Sequence, residues 1–83
     1  MISAHPVVYV KMLTGRTITL FSKLSSAVDE LKRAIRVEEN FTPDEQRLVF
    51  AGKQLNDSGR LVDHDVRNGS TLYLILRLNG GER

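Results

Sequence analysis

Few residues in this chain could do chemistry unaided. His5 and His64 are its two histidines, and it has no cysteine. A disulfide framework, a zinc–thiolate site and a cysteine nucleophile are therefore excluded. Asp63-His64-Asp65 has the side-chain types of a metal site. Adjacent residues seldom converge on one centre, so a polar loop is expected there and no metal or other cofactor. A Ser–His–Asp triad is compatible with the composition but needs a cleft that so small a core hardly offers. Ala51-Gly52-Lys53-Gln54 lacks the first glycine and the Ser or Thr of a phosphate-binding loop. What remains is Gly80-Gly81, followed by Glu82-Arg83. Two residues without side chains let a backbone come close to other groups. An ordinary flexible linker carries the same dipeptide.

The scaffold that would position these residues is small. Eighty-three residues make one domain, burying about 60–65% of the surface its unfolded chain exposes. Hydrophobic residues are 41% and charged residues 27%, the balance of a globular domain. No apolar run approaches the ~20 residues of a membrane span, and no basic-then-apolar leader opens the chain. The net charge is +2 and the pI about 9.3. The signs are interleaved, with Lys32-Arg33 and Arg36 followed by Glu38-Glu39. That is a mixed solvated surface rather than a nucleic-acid stripe, so neither nucleic acid nor membrane is expected as a partner. Lack of cysteine suits a reducing interior.

Val7–Met12 is β-branched and aromatic, and Thr17–Ser22 alternates Thr with apolar residues until Ser22 breaks the pattern. With Gly15 between them they predict a β-hairpin whose inner face is Val8, Val10, Ile18 and Leu20. Phe21 is expected to point outward. Ser26 as N-cap with Asp29 three residues on predicts a helix over about Ala27–Glu38. Val28, Leu31 and Ile35 form its buried stripe, and Asn40 is a left-handed stop before Thr42-Pro43. Gln46–Phe50 is a third strand, and Gln54-Leu55 a very short fourth after the Ala51-Gly52-Lys53 turn. Leu61–Val66 is a loop or 3₁₀ segment that places Leu61 and Val66 inward. After Asn68-Gly69, Ser70–Leu78 is the last strand, with Leu72 and Leu74 inward and Tyr73, Ile75 and Arg77 outward. The order ββαββ predicts an α+β fold, a mixed sheet of four to five strands packed on one helix.

Three segments, Lys11–Leu20, Pro43–Leu55 and Ser70–Gly81, closely resemble ubiquitin, in a match that runs ungapped from about Pro6 to Gly81. The resemblance implies a β-grasp (ubiquitin-like) fold over residues 7–78, a short extension over 1–6 and a tail over 79–83. It implies a protein modifier rather than an enzyme, here in precursor form. A processing protease would cut between Gly81 and Glu82. Gly80-Gly81 would then be the conjugation tail, its carboxylate adenylated by an ATP-using activating enzyme. From there it would pass to a conjugating enzyme and ligase, and on to lysine amines of target proteins. The cytoplasm is the expected location, with the nucleus added in a eukaryote, and the expected form is a monomer.

The resemblance also assigns residues. Leu13, Val49 and Ile75 match the family's hydrophobic recognition patch for ubiquitin-like-binding receptors, with Arg47 and Tyr73 at its edge. Val49 is expected to be exposed. Arg77 matches the arginine read by ubiquitin's activating enzyme, whereas Asn79 stands where the family has arginine. Phe41, Leu76 and Leu78 match a second patch near the tail. Lys11, Lys32 and Lys53 fall on family lysine positions and are the candidates for chain linkage. Two other readings fit the sequence. One is a binding module from a larger adaptor, in which Gly80-Gly81 is incidental. The other is a β-grasp sulfur carrier, against which the patch and the residues after Gly81 argue.

Overall fold

The computed structural model describes residues 6–77. Leu78, Gly80, Gly81 and Glu82, and most of the two terminal segments, lie outside them. Five strands form one mixed sheet: β1 Val7–Met12, β2 Thr17–Phe21, β3 Gln46–Phe50, β4 Lys53–Gln54 and β5 Thr71–Leu76. Their spatial order is β2-β1-β5-β3-β4. Among the described residues only β1 and β5 pair in parallel, with Val10 beside Leu72 and Met12 beside Leu74. The helix α1, Val28–Glu39, crosses one face. This is the β-grasp fold, in the α+β class that the pattern of elements predicts.

The core follows from two periodicities. Period two turns Val8, Val10, Ile18, Leu20, Leu48, Leu72 and Leu74 to the helix side, where each is less than 8% exposed. Period 3.6 turns Val28, Leu31 and Ile35 to meet them. Leu61 and Val66 are buried as expected, and Leu61–His64 is a 3₁₀ turn. Among the described residues no helix is long and apolar enough to cross a membrane.

Four local expectations need correction. β2 ends at Phe21, one residue before Ser22, and β4 is Lys53–Gln54 rather than Gln54-Leu55. The described part of the last strand is Thr71–Leu76. The helix starts one residue late, with Ala27 rather than Ser26 at the N-cap. Glu30, not Asp29, reaches back to accept the Ala27 N–H at 3.0 Å. The next donors are satisfied from across the fold: Val28 N–H bonds the Gly59 carbonyl at 2.8 Å, and Asp29 N–H that of Asp57 at 3.1 Å. With carbonyls supplied by a distant loop, the helix start does not need a hydroxyl cap. Its end matches expectation: Asn40 is left-handed (φ 63°) and its N–H returns to Arg36.

Candidate functional site

The outer face of the sheet carries the candidate surface, and the strand pairing assembles it. β3 and β5 are antiparallel neighbours with Arg47 opposite Ile75 and Val49 opposite Tyr73. Directly opposed residues point to the same face, so these four side chains make one contiguous block. β1 adds Lys11, which sits beside Tyr73. Leu13 comes from the β1–β2 turn. There the Met12 carbonyl accepts the Gly15 N–H at 2.9 Å and Gly15 sits at φ 95°, open to glycine with little strain. That turn holds Leu13 out at 84% exposure, against 48% for Tyr73 and 37% for Ile75. Val49 is half-buried rather than exposed. It lies in the middle of the block, with Tyr73 on one side and Gln54 on the other, and neighbours on both strands cover part of it.

The two expected patches meet. Met12, Leu13, Thr14, Phe41, Leu74 and Leu76 line a shallow apolar depression of about 240 Å³. Leu13 of the first patch therefore shares a surface with Phe41 and Leu76 of the second. Phe41 is half-buried against the core and Leu76 is 40% exposed. The third member, Leu78, lies outside the described residues.

Two polar residues not among the expected site residues hold this end of the molecule in place. Gln46 is 3% exposed, and its Nε2 donates to the carbonyls of Lys32 and Phe41, both at 2.9 Å. It thereby ties the helix to the Phe41 segment. Glu45 closes the turn before β3: its Oε1 accepts the Thr42 N–H at 2.9 Å, and its own carbonyl accepts the Arg77 N–H at 2.7 Å. That last bond fixes where the chain leaves β5 and sets out toward Gly80-Gly81. The signal for Gln46 is present in the sequence, because it stands two residues before Leu48 and so shares its inward face.

The three candidate lysines are placed differently. Lys11 and Lys53 are exposed, one on the outer face and one in the β3–β4 hairpin. Lys32 is not presented to solvent: its side chain is 6% exposed and its ammonium is bound by the Asp57 carboxylate. The buried positions of α1 are Val28, Leu31, Lys32 and Ile35, and Lys32 occupies the i+4 place of that stripe.

The outward strand side chains of the block that carry charge, Lys11 and Arg47, are both positive, and the exposed Arg77 follows β5. Glu39 is tied to Arg16 at 2.9 Å, at the other end of the β1–β2 turn. Asp63 is held below the ordinary carboxylate range by its hydrogen bonds from the Arg60 side chain and backbone. Among the described residues no three His, Asp or Glu side chains are grouped to hold a metal, Asp63-His64-Asp65 included.

Comparison with known proteins agrees with this geometry. The model described as "Ubiquitin family" matches residues 8–79. The NEDD8-like protein RUB1 of Saccharomyces cerevisiae is 39% identical over 75 residues, covering 90% of this chain and 97% of the relative. Ubiquitin-like protein 1 of Schizosaccharomyces pombe is 38% identical over 72 residues, covering 87% and 92%. The E3 ubiquitin-protein ligase UHRF1 of Bos taurus is 37% identical, over 71% of this chain but 9% of its own length. The matched span takes in all of β1 but its first residue, the other described strands, the helix and the outer-face block, and on it the chain belongs to the ubiquitin family, as a NEDD8/RUB1-like modifier and not an enzyme.

Proposed function

We propose that this chain is joined to lysine amines of target proteins through the carboxylate of Gly81. The observation that carries the reading is the position of Gly80-Gly81, four residues past the end of β5 at Leu76. Two residues without side chains beyond the last strand are suited to a partner's narrow site. Cleavage after Gly81 removes Glu82-Arg83 and frees the carboxylate. An activating enzyme adenylates that carboxylate with ATP and captures it as a thioester, and a conjugating enzyme and ligase pass it on. The nucleophiles belong to these partners.

The outer-face block serves recognition. Leu13, Val49 and Ile75 supply apolar contact, and Lys11, Arg47 and Arg77 favour a receptor with carboxylates around an apolar centre. Grouped exposed aliphatics of this kind mark interaction surfaces, whereas single ones do not. Cytoplasm, with nucleus in a eukaryotic host, is the compartment in which such partners would meet the chain. One observation favours a second reading: the match to a short segment of a ligase fits a binding domain of a larger protein. The relatives matched over nearly their whole length favour the modifier.

The test compares a chain ending at Gly81 with one continuing through Arg83 in ATP-dependent thioester formation with an activating enzyme. A bulky arginine at the reacting centre misplaces the carboxylate, and errors near ~1 Å can cost a hundredfold in rate. The trimmed chain should charge and the longer one should not. Equal charging removes the processing step, and failure of both favours the binding-domain reading.

A further inference from the structure

The two edges of the sheet are not alike. One edge, β4, is two residues long and begins with Lys53, a short and charged edge of the kind that resists pairing with another chain. The other edge, β2, is Thr17-Ile18-Thr19-Leu20-Phe21, with no charge and no proline. Its hydrogen-bonding phase is set by the bonds at its two ends, from Met12 N–H to the Arg16 carbonyl and from Ser22 N–H to the Pro6 carbonyl. The alternation of an antiparallel ladder then gives Ile18 and Leu20 to β1 and turns the N–H and C=O groups of Thr17, Thr19 and Phe21 outward. None of these six groups has a partner among the described residues. Phe21 beside them is 70% exposed.

We infer that this edge pairs with the same edge of a second copy of the chain, antiparallel about a two-fold axis through Thr19. In that register Thr19 meets Thr19 of the twin, and Thr17 meets its Phe21. All three are hydrogen-bonded pairs, so the six outward groups of each copy are satisfied together. Each Phe21 gains a β-branched neighbour, a favourable cross-strand combination. Arg16 and Lys23 lie opposite Ser22 and Gly15, so no two like charges meet. The result is one ten-stranded sheet. β1 separates β2 from β5, so the Arg47–Val49–Tyr73–Ile75 block stays open, and the inference does not depend on conjugation. A five-residue edge buries far less than the about 1,200 Å² of a stable interface. The monomer therefore dominates when dilute, and pairing takes hold where copies are crowded or joined.

The experiment is sedimentation equilibrium, with amide NMR, on the full chain across roughly 0.05–2 mM. The wild type should gain mass with concentration, and the amides of Thr17, Thr19 and Phe21 should shift most. Thr19 is exposed, so Thr19→Lys and Thr19→Glu leave the core intact, as thermal melts should verify. Each variant alone sets like charges against each other at the axis and should stay monomeric. Mixed one to one, they should associate at least as well as the wild type. A wild type monomeric throughout, or association unchanged in Thr19→Lys, overturns the inference. So does a mixed pair that fails to associate, which would mean that the edge takes a partner other than itself.

Discussion

β3 and β5 present two different faces from alternate residues of the same strands. On the helix side Leu48, Leu72 and Leu74 are 0%, 0% and 2% exposed, whereas on the other side Tyr73 and Ile75 are 48% and 37% exposed. Both faces carry large apolar side chains, the outer one with Arg47 among them. The larger difference is the helix, which covers one and leaves the other bare. An apolar side chain on the first face contributes to stability through burial. On the second it contributes little to folding and remains available to a partner. Leu48 and Ile75 are thus similar residues with separable roles, which substitution can pull apart.

The largest effect is expected at Leu48→Ala. It removes a fully buried side chain and leaves a cavity, costing about 2–5 kcal/mol in chemical denaturation. A loss no greater than that of an outer-face variant would erase the distinction between the faces. Next is Asp57→Ala, which strands the Lys32 ammonium on the covered side at a cost of about 1–3 kcal/mol. If Asp57→Ala melts like the wild type, the ammonium has found water and the pair is not what holds Lys32 in.

Ile75→Ala should behave in the opposite sense to Leu48→Ala. Its stability loss should stay below about 1 kcal/mol, while receptor binding by titration calorimetry weakens by about 2 kcal/mol if Ile75 is a centre of the interface. Val49→Ala falls between the two in stability because Val49 is half-buried. The smallest effect concerns neither face. The lowered pKa of Asp63 means that its contribution is present above the unfolded carboxylate pKa and fades as pH falls through the folded value. Asp63→Asn should therefore lose a small stability increment at neutral pH that vanishes in acid. A difference that grows toward low pH would contradict this.

Much of the fold is legible in the sequence because its elements are locally consistent. Thr17–Phe21 alternates cleanly, Val7–Met12 is β-branched and aromatic, and Asn40 carries its own stop signal. The helix start is misread because its capping carbonyls, from Asp57 and Gly59, come from about thirty residues away, and a hydroxyl at Ser26 is the nearer local candidate. Lys32 is misread for a related reason: lysine is ordinarily solvated, and only Asp57 makes its place in the stripe tolerable. The outward facing of Val49, Tyr73 and Ile75 is legible from period two, and their grouping with Arg47 from the resemblance to ubiquitin. The joining of Leu13 with Phe41 and Leu76 is not, because it depends on Gln46 holding Phe41 against the helix.

The most direct test of conjugation through Gly81 lies in the sequence of the tail. Trypsin cuts after Arg77, and no lysine or arginine follows until Arg83. A target lysine joined to Gly81 would therefore keep Leu78-Asn79-Gly80-Gly81 on its side-chain nitrogen after digestion. The measurement is mass spectrometry of digested conjugates from cells expressing the chain or from a reconstituted reaction. Lysine peptides bearing this four-residue remnant, absent when Gly81 is deleted, are the predicted result. Recovery of the chain with Glu82 still joined to Gly81, and no lysine bearing the remnant, would contradict the account.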